Sequence, residues 1–304
     1  MIRKTIYATL ASIKNINGDK TMEKILFTAD LHGNIEQYKS TLHHAVDHNI
    51  DIVVFGGDLT PKDPERRTPE KQRAFLEQEL FPLLEEFRKD HNTHVLFIMG
   101  NDDFKSNHDI MVNGQDFYGY RMIDQIPYIS QSGYVFVGYT PVPFTPFQYK
   151  CWEKRDLEAH TDFSHRDDTR IQGVVSHGDE LTPYSLSEAF AQSSIEDDLN
   201  QLTQGLDMNK LILISHAPPF ETVCDYNREH KHVGSQAVKQ FIQTKQPYMS
   251  LHGHIHETVD LKGEYQEAIG RTISVAVGND HRPQTPFVIE AELNASPNVR
   301  RLKL

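Results

Sequence analysis

The stretch from Lys24 to Asn34 reads Lys-Ile-Leu-Phe-Thr-Ala-Asp-Leu-His-Gly-Asn, and it decides how the rest of the chain is interpreted. The apolar run at 25–27 is followed at once by a turn signal, which predicts a buried strand rather than a helix. Asp30 and His32 stand at the end of this strand. Because residues two apart in extended backbone point to one face, we expect this carboxylate and imidazole to converge on one point, as two metal ligands do.

The segment after His32 predicts a sharp turn, a helix and a second strand. Gly33 permits the turn, and Asn34 can cap the helix, whose apolar residues follow at helical spacing as far as Val46. The apolar, β-branched run Ile52–Phe55 then precedes Gly56-Gly57-Asp58. Strand, helix and strand within about 30 residues form a βαβ unit, so the sheet is predicted to begin with parallel strands.

The composition bounds the class of protein. The chain has 304 residues, 38% hydrophobic and 24% charged, and its net charge of −12 argues against a long nucleic acid as partner, although it does not exclude a small phosphorylated substrate. Cys151 and Cys224 lie far apart and predict neither a disulfide framework nor a thiolate metal site, which favours a reducing compartment. No signal peptide or membrane span is recognisable, so we predict a cytoplasmic protein without a membrane partner. Residues 1–21 are interpreted as a loose N-terminal extension, and Met22 is an alternative start.

Further strands and helices follow along the chain. Strands are predicted at 94–99, 211–215, 248–251, 273–277 and 287–293, with a hairpin at 126–139. Helices are predicted at 66–89, interrupted or restarted at Pro82, and at 186–206 and 233–244. The segment 141–179 is rich in proline and charge, has little periodicity, and is interpreted as a long functional insertion over one face.

Polar groups follow five of the predicted strands. They are Asp30 with His32, Asp58, Asn101, His216, and His254 with His256. Taken singly, Asp58 and Asn101 can be helix caps and His216 a hydrogen-bonded histidine. Together they favour a metal site, because ligands bind at the carboxyl ends of the strands in open α/β sheets.

The chemistry of these groups fits a dinuclear centre. Oxygen and imidazole ligands without sulfur suit Mn, Fe, Zn, Co or Ni, and ligand type alone does not choose among these divalent transition metals. The two carboxylate oxygens of Asp58 can bridge two cations. Two metals about 3.5–4 Å apart clamp the attacking and leaving oxygens of a phosphoryl transfer, and they convert a bridging water to hydroxide at neutral pH.

The ordered motifs resemble those of the calcineurin-like metallophosphoesterase superfamily. They are Asp30-x-His32, Gly57-Asp58, Gly100-Asn101, His216 and Gly253-His254-x-His256, and they span residues 24–256. Within the superfamily, the chain is most similar to small bacterial phosphoesterases of uncertain substrate. The resemblance implies an α/β fold, a four-layer α/β/β/α sandwich with mixed central sheets, for a domain at 22–304. It also implies that Asp30, His32 and His256 hold one metal, that Asn101, His216 and His254 hold the other, and that Asp58 bridges them.

One position departs from the family pattern. The family commonly has a histidine directly after the motif asparagine, and this chain has Asp102. An ordinary aspartate has a pKa near 4 and nearby cations lower it further, so Asp102 is predicted to be a poor general acid. Asp103 can support a metal ligand, or both aspartates can cap a helix.

Several other residues are candidates for substrate contact. His177 and His252 can touch the substrate or replace the missing acid. Trp152 and Phe147 can stack a base, although core packing of the insertion is favoured. The arginines of the insertion can bind phosphate, or they can pair with nearby acidic residues; they are Arg155, Arg166 and Arg170.

The residues and the resemblance together predict a dinuclear-metal-dependent phosphoesterase. Hydroxide bridging the metals would attack a phosphodiester or nucleotide-like substrate, with Asp58, Asn101, His216 and Asp102 as the catalytic candidates. One alternative is a metal-binding scaffold that kept the fold with little catalysis. Another is a phosphoprotein phosphatase, against which the acidic net charge argues.

Overall fold

The computed structural model describes residues 22–124, 126–160 and 172–304. The predicted extension at 1–21, and Arg166 and Arg170, lie outside the described residues. The strands are β1 Glu23–Thr28, β2 Ile52–Gly56, β3 His94–Ile98, β4 Tyr120–Met122, β5 Tyr128–Ile129, β6 Val135–Tyr139, β7 Val142–Pro143, β8 Glu153–Lys154, β9 Val174–His177, β10 Glu180–Pro183, β11 Leu211–Ser215, β12 Met249–His252, β13 Gln266–Ile269, β14 Thr272–Ala276, β15 Phe287–Leu293 and β16 Asn298–Lys303. The helices are α1 Ile35–Asp47, α2 Pro69–Phe75, α3 Phe81–Asp90, α4 His108–Tyr118, α5 Leu186–Ala191, α6 Ile195–Leu202, α7 Gln236–Lys245 and α8 Thr258–Lys262, with a π-helical turn at Leu76–Leu80 and a 3₁₀ turn at Lys105–Asn107.

The first sheet carries the segments that follow β1, β2 and β3. Its strand order is β16-β15-β1-β2-β3-β4. Strands β1 to β4 run parallel, as the βαβ pattern predicts, while β15 and β16 add an antiparallel edge. The carboxyl ends of the parallel strands therefore meet at one edge of the sheet.

The second sheet carries the remaining predicted ligands. Its order is β13-β14-β12-β11-β6-β5. The four inner strands are parallel, and the two edge strands are antiparallel to their neighbours. His216 follows β11, and His254 and His256 follow β12.

Three hydrophobic clusters define the layers. One lies between the sheets and includes Phe27 and Leu251. A second lies on the outer face of the first sheet, where Phe97 packs with residues of α1 to α4. A third lies outside the second sheet, where Leu213 packs with α6 and α7. The α/β/β/α sandwich with mixed sheets that the family resemblance implied is confirmed.

The helices and the insertion differ from the sequence prediction in detail. The helix predicted at 66–89 is α2 and α3 joined by the π-helical turn, and the helix predicted at 186–206 is the pair α5 and α6. Helix α4 and strands β4, β13 and β16 had no clear signal in the sequence. The predicted insertion contains β7 and β8, which pair in parallel, and β9, which pairs with β10.

The described helices bear on the prediction of a membrane span, and the two cysteines on the prediction of a disulfide. In the ranges given above, no helix has the length and apolar character that crossing a membrane requires. Cys151 and Cys224 are both free thiols.

Gly138 marks a point where the two sheets come into close contact. It lies in β6, and its backbone N–H donates to the Ile123 carbonyl oxygen at 2.9 Å. A Cβ atom here would overlap Ile98 of the opposite sheet and lie 2.8 Å from the Ile123 carbonyl carbon. Only glycine fits this approach without a shift of backbone.

We predict that Gly138→Ala lowers the free energy of unfolding by about 1–3 kcal/mol, the usual cost of overpacking a core. Denaturant unfolding measures this change, with Glu77→Ala at an exposed helical position as the control. Equal stability of the Gly138→Ala and wild-type proteins would contradict the close approach of the sheets.

Candidate metal centre

The loop after β1 brings Asp30 and His32 together by an unexpected route. Strand β1 ends at Thr28, and both residues lie beyond it with positive φ, 60° for Asp30 and 44° for His32. Their amides donate to the carbonyl oxygens of Gly57 and Asp58, each at 2.9 Å. The prediction that alternation along an extended strand aims the two side chains is therefore wrong. A left-handed turn tied to the loop after β2 aims them instead.

Left-handed backbone is concentrated at the predicted ligands. Eight non-glycine residues of the described part have positive φ, and four of them are Asp30, His32, Asp58 and His254. This conformation costs about 1–2 kcal/mol per residue, because Cβ approaches a carbonyl oxygen. Strain of this kind persists where the surrounding structure imposes it, and it clusters at functional sites.

The first predicted ligand set is assembled. The ligand atoms of Asp30, His32, Asp58 and His256 all lie within 4.8 Å of one another. The Nε2 atom of His256 lies 3.2 Å from His32 Nε2 and 3.6 Å from Asp30 Oδ1. Asp30 is fully buried, and its Oδ2 has no hydrogen-bond partner among the described residues. A buried carboxylate oxygen without a donor fits a bound cation.

The second predicted ligand set is assembled beside the first. Asn101 Oδ1 lies 3.1 Å from His216 Nε2 and 2.6 Å from His254 Nδ1. The Nδ1–H of His216 donates to the Gly56 carbonyl oxygen at 2.9 Å, which leaves Nε2 as the ligand atom.

Asp58 lies between the two sets and contacts both. Its Oδ2 atom is 3.5 Å from His32 Nε2, and its Oδ1 atom is 3.4 Å from His216 Nε2. The backbone N–H of Asp102 donates to Oδ1 at 2.8 Å. Each carboxylate oxygen therefore faces a different set, which is the arrangement that a bridging ligand requires.

The pKa values reflect burial and charge at this point. Burial raises the pKa of Asp30 to about 7, with Asp58 adding to the rise. Burial would also raise the pKa of Asp58, but the adjacent His216 and His32 hold it well below its usual range. Burial lowers the pKa of His256 to about 3, assisted by Lys62. The Asp58 carboxylate acts against burial and raises the pKa of His216 to about 9. The carboxylates and imidazoles of this site therefore hold protons that a bound divalent metal would displace.

Two glycines make the close approach of the ligand loops possible. A Cβ atom on Gly100 would overlap Asp58 and lie 2.8 Å from His216 Cε1. A Cβ atom on Gly253 would lie 2.8 Å from Asp30 Oδ2. The glycine that precedes Asn101, and the one that precedes His254, therefore leave room for ligands from neighbouring strands.

Asp103 ties two ligand loops together. Its buried carboxylate accepts hydrogen bonds from the backbone N–H groups of Leu59 at 3.0 Å, Thr60 at 2.8 Å and Gly100 at 2.8 Å. Its carbonyl oxygen accepts a hydrogen bond from Trp152 Nε1 at 2.7 Å. Asp103 thus joins the backbone that follows Asp58 to the backbone that precedes Asn101, and the insertion packs against the same loop.

Asp102 forms an ion pair instead of standing free. Its Oδ1 atom pairs with Arg67, and its Oδ2 atom lies 3.8 Å from His32 Nδ1. The Arg67 guanidinium also lies 4.2 Å above the Tyr149 ring. Burial, with the Asp58 carboxylate, raises the pKa of Asp102 to about 7, whereas the sequence predicts a value below 4. The difference arises because its burial was not visible in the sequence, and bound cations would act in the opposite direction.

The predicted substrate histidines lie apart from the ligand sets. His252 is fully buried, and its ring nitrogens bond the Ser215 carbonyl oxygen and the Ser250 hydroxyl, each at 3.0 Å. No ring nitrogen is left for a substrate, so the structure does not support the predicted role of His252. His177 is exposed and lines a cavity of about 230 Å³ to which none of the seven predicted ligands contributes.

The aromatic residues and the arginine that were candidates for substrate contact lie in different environments. Trp152 is buried and packs in the core, as favoured from the sequence. Phe147 is 48% exposed, and its ring centroid is 6.3 Å from that of His254. Arg155 pairs with Glu158 at 3.1 Å, which agrees with the alternative of pairing with nearby acids.

Three basic residues near the site were missed in the sequence. They are Lys62, whose Nζ lies 2.9 Å from His32 Nε2, Arg67, and His281, whose ring centroid is 4.8 Å from that of His32. A signal for His281 was present, because Gly278-Asn279-Asp280-His281 follows β14 much as Gly100-Asn101 follows β3. Lys62 and Arg67 had no such signal.

A family model for the calcineurin-like phosphoesterases matches residues 23–258. The chain belongs to the calcineurin-like phosphoesterase family. An uncharacterized protein of Methanocaldococcus jannaschii is 28% identical over 154 residues, which cover 47% of this chain and 66% of that protein.

Solved structures of similar fold include one from Danio rerio and one from Thermus thermophilus. A dimetal phosphatase from Danio rerio is 14% identical, with a TM-score of 0.54, and the match covers 92% of this chain and 98% of that one. A Thermus thermophilus protein is 16% identical, with a TM-score of 0.53 and coverage of 92% and 99%. At these identities the likeness extends to the fold alone.

We predict that Asp103→Asn lowers both stability and metal affinity. The amide NH₂ would face backbone donors, and one buried unsatisfied group costs about 1–3 kcal/mol. Denaturant unfolding and metal titration of the same preparation measure the two effects. Asp90→Asn, at an exposed position, is the control. Wild-type metal affinity in Asp103→Asn would show that Asp103 does not position the ligand loops.

Proposed function

We propose that this chain is a dinuclear-metal phosphoesterase that hydrolyses a phosphodiester or nucleotide-like substrate. Asp30, His32 and His256 would hold one metal, and Asn101, His216 and His254 the other. Family membership supports the reaction class, and the donor set supports divalent transition metals such as Mn, Fe, Zn, Co or Ni.

The observation that carries the proposal is the position of Asp58. Its two oxygens lie 3.5 Å from His32 and 3.4 Å from His216, so one carboxylate serves two separate donor sets. A protein with a single metal would need only one of these sets. Asp58 is 2% exposed, and a buried carboxylate between two imidazole sets is best satisfied by cations on both sides.

The residues of the chain have distinct roles in this reaction. Metals bound here would supply Lewis-acid activation of the phosphoryl group and lower the pKa of a water molecule. Asn101 Nδ2 donates to Asp102 Oδ1 at 3.2 Å, and this places the amide beside the Arg67–Asp102 pair. In the net reaction, water would add to phosphorus as the bond to the leaving oxygen breaks, and one proton of that water would pass through solvent to the leaving oxygen.

Asp102 stands where the family commonly has a histidine. Here it supports electrostatic binding of the substrate phosphate rather than proton donation. Asp102 pairs with the N–H edge of the Arg67 guanidinium, and the Tyr149 ring packs against one face of it. A guanidinium fixed in this way binds phosphate oxygens in a planar, bidentate geometry. Without an imidazole acid here, substrates with good leaving groups are favoured, which is why we prefer a phosphodiester or nucleotide-like substrate.

Two other functions remain as competing proposals. A metal-binding scaffold would keep the ligand sets and lack turnover. A phosphoprotein phosphatase would need to receive a protein surface, and the net charge of −12 disfavours many phosphorylated, acidic partners. Exposed Phe147 near His254 instead places the insertion beside the site, where it can contact a small organic substrate.

We predict that Asp58→Asn loses metal content and turnover together, because one side chain serves both metals. Metal analysis is combined with hydrolysis of bis(p-nitrophenyl) phosphate and p-nitrophenyl phosphate in Mn, Ni, Co, Zn and Mg, with Asp90→Asn as the control. Two retained metal equivalents in Asp58→Asn would disprove bridging. A metal-loaded wild-type protein with kcat/KM no higher than metal in buffer would instead support the scaffold.

We predict that Arg67→Lys lowers kcat/KM about 10–100-fold, the loss expected for a charge-assisted hydrogen bond worth about 1.5–3 kcal/mol. Metal content should stay at two equivalents, because Arg67 belongs to neither ligand set. Arg88→Lys, at an exposed helical position, is the matched control. Unchanged kcat/KM for both test substrates would remove Arg67 from substrate binding.

A further inference from the structure

We propose that His281 is an additional protein ligand at the first metal position, beside His32 and His256, the two histidines that also form a set with Asp30 and Asp58. This inference rests on the proposed metal centre and names a ligand that the family motifs do not include. A ring nitrogen of His281 and those of His32 and His256 lie within 4.8 Å of one another. The ring centroid of His281 is 4.8 Å from that of His32 and 6.0 Å from that of His256.

The hydrogen bonding of His281 leaves a donor atom for a metal. Its Nδ1 atom is buried and has no hydrogen-bond partner among the described residues. The Oδ2 atom of Asp30, in the first ligand set, is likewise buried and unpartnered among the described residues. Buried polar atoms are rarely left without partners in native proteins, so these two atoms at one site fit a bound cation.

The segment that carries His281 is fastened to the loop that carries Asp30. Asn279 is fully buried, and its side-chain amide donates to the Ala29 carbonyl oxygen at 3.1 Å and to Gln37 Oε1 at 3.0 Å. Its Oδ1 atom accepts the Phe287 N–H at 2.9 Å. Two buried amide side chains, those of Asn279 and Gln37, therefore set the position of this segment.

The backbone of His281 itself is held by the start of α1. Asn34 caps this helix, and its Nδ2 atom donates to the carbonyl oxygen of His281 at 2.7 Å. Gln37 Nε2 donates to the carbonyl oxygens of Asp280 at 2.7 Å and Pro283 at 2.9 Å. Asn34 lies two residues after His32, so one helix start fixes His281 relative to a predicted ligand.

The added imidazole makes the two metal positions chemically different. The first would have three imidazoles with two carboxylates, and the second two imidazoles with Asn101 and the shared Asp58. Imidazole favours Zn, Fe, Ni and Cu over Mg and Ca. We therefore expect the first position to bind borderline transition metals more tightly than the second.

The test uses chelator-treated full-length protein titrated with Zn²⁺ against a competing indicator and, separately, with Co²⁺ followed by its visible spectrum. His281→Ala should bind one of two equivalents at least about tenfold more weakly, since even residues that only support a ligand contribute about 10–100-fold. The Co²⁺ spectrum of that position should change, and His281→Gln should behave like His281→Ala.

His43→Ala, at an exposed helical histidine, is the matched control and should bind both equivalents as the wild type does. Circular dichroism confirms that each variant is folded. Two equivalents at wild-type affinity with an unchanged Co²⁺ spectrum, in folded His281→Ala, would overturn the proposal. Unchanged metal binding in His281→Ala, together with a loss of turnover only on substrates with poor leaving groups, would also overturn the proposal. That result would assign His281 a proton-transfer role.

Failure of this inference can be separated from failure of the proposed function. Wild-type protein that binds two metals without turnover rejects the enzyme, while the His281 titration still decides the ligand. Wild-type protein that binds no transition metal rejects both proposals.

Discussion

The buried carboxylate of Asp58 is the interaction on which the arrangement of this protein depends. Removing a charge from water is costly unless partners compensate for it, and Asp58 is 2% exposed. Its compensation comes from His32 on the first sheet and His216 on the second. The carboxyl edges of both sheets must therefore meet at this point. Close inter-sheet contacts such as that of Gly138 with Ile98 keep them in register.

The same meeting point concentrates local strain. Left-handed backbone at Asp58 and at several of the predicted ligands is unfavourable in isolation, and the surrounding hydrogen bonds impose it. Asp103 binds the amides of two ligand loops, and the amide pair of Gln37 and Asn279 fastens a third segment. These buried polar residues stabilise one geometry of the loops, and the hydrophobic layers below them supply the stability that this geometry requires.

The local electrostatics differ from those of the whole chain. A net charge of −12 would repel an anionic substrate at long range, but Lys62 and Arg67 lie beside the buried carboxylates. Bound divalent metals would add to this positive region and reverse the sign of the field locally. Where the family commonly has a histidine that can donate a proton, this chain has the Asp102–Arg67 pair, which supplies a fixed cation. This difference bears on leaving-group preference more than on metal binding.

The sequence by itself determined the inner strands of both sheets and the ligand candidates, because continuous apolar runs ending in turn signals are local patterns. Parallel strands share one edge, so residues following them, such as Asn101 and His216, were predicted to meet, and the structure brings them together. Helix α4 and edge strand β16 escaped detection because their apolar periodicity is weak. Only the tertiary structure decided that Asp102 is buried against Arg67, 35 residues away, and that Asn34 holds His281 across 247 residues. Such contacts depend on how two sheets and their loops pack. A local pattern in the sequence cannot predict contacts between residues so far apart in the chain.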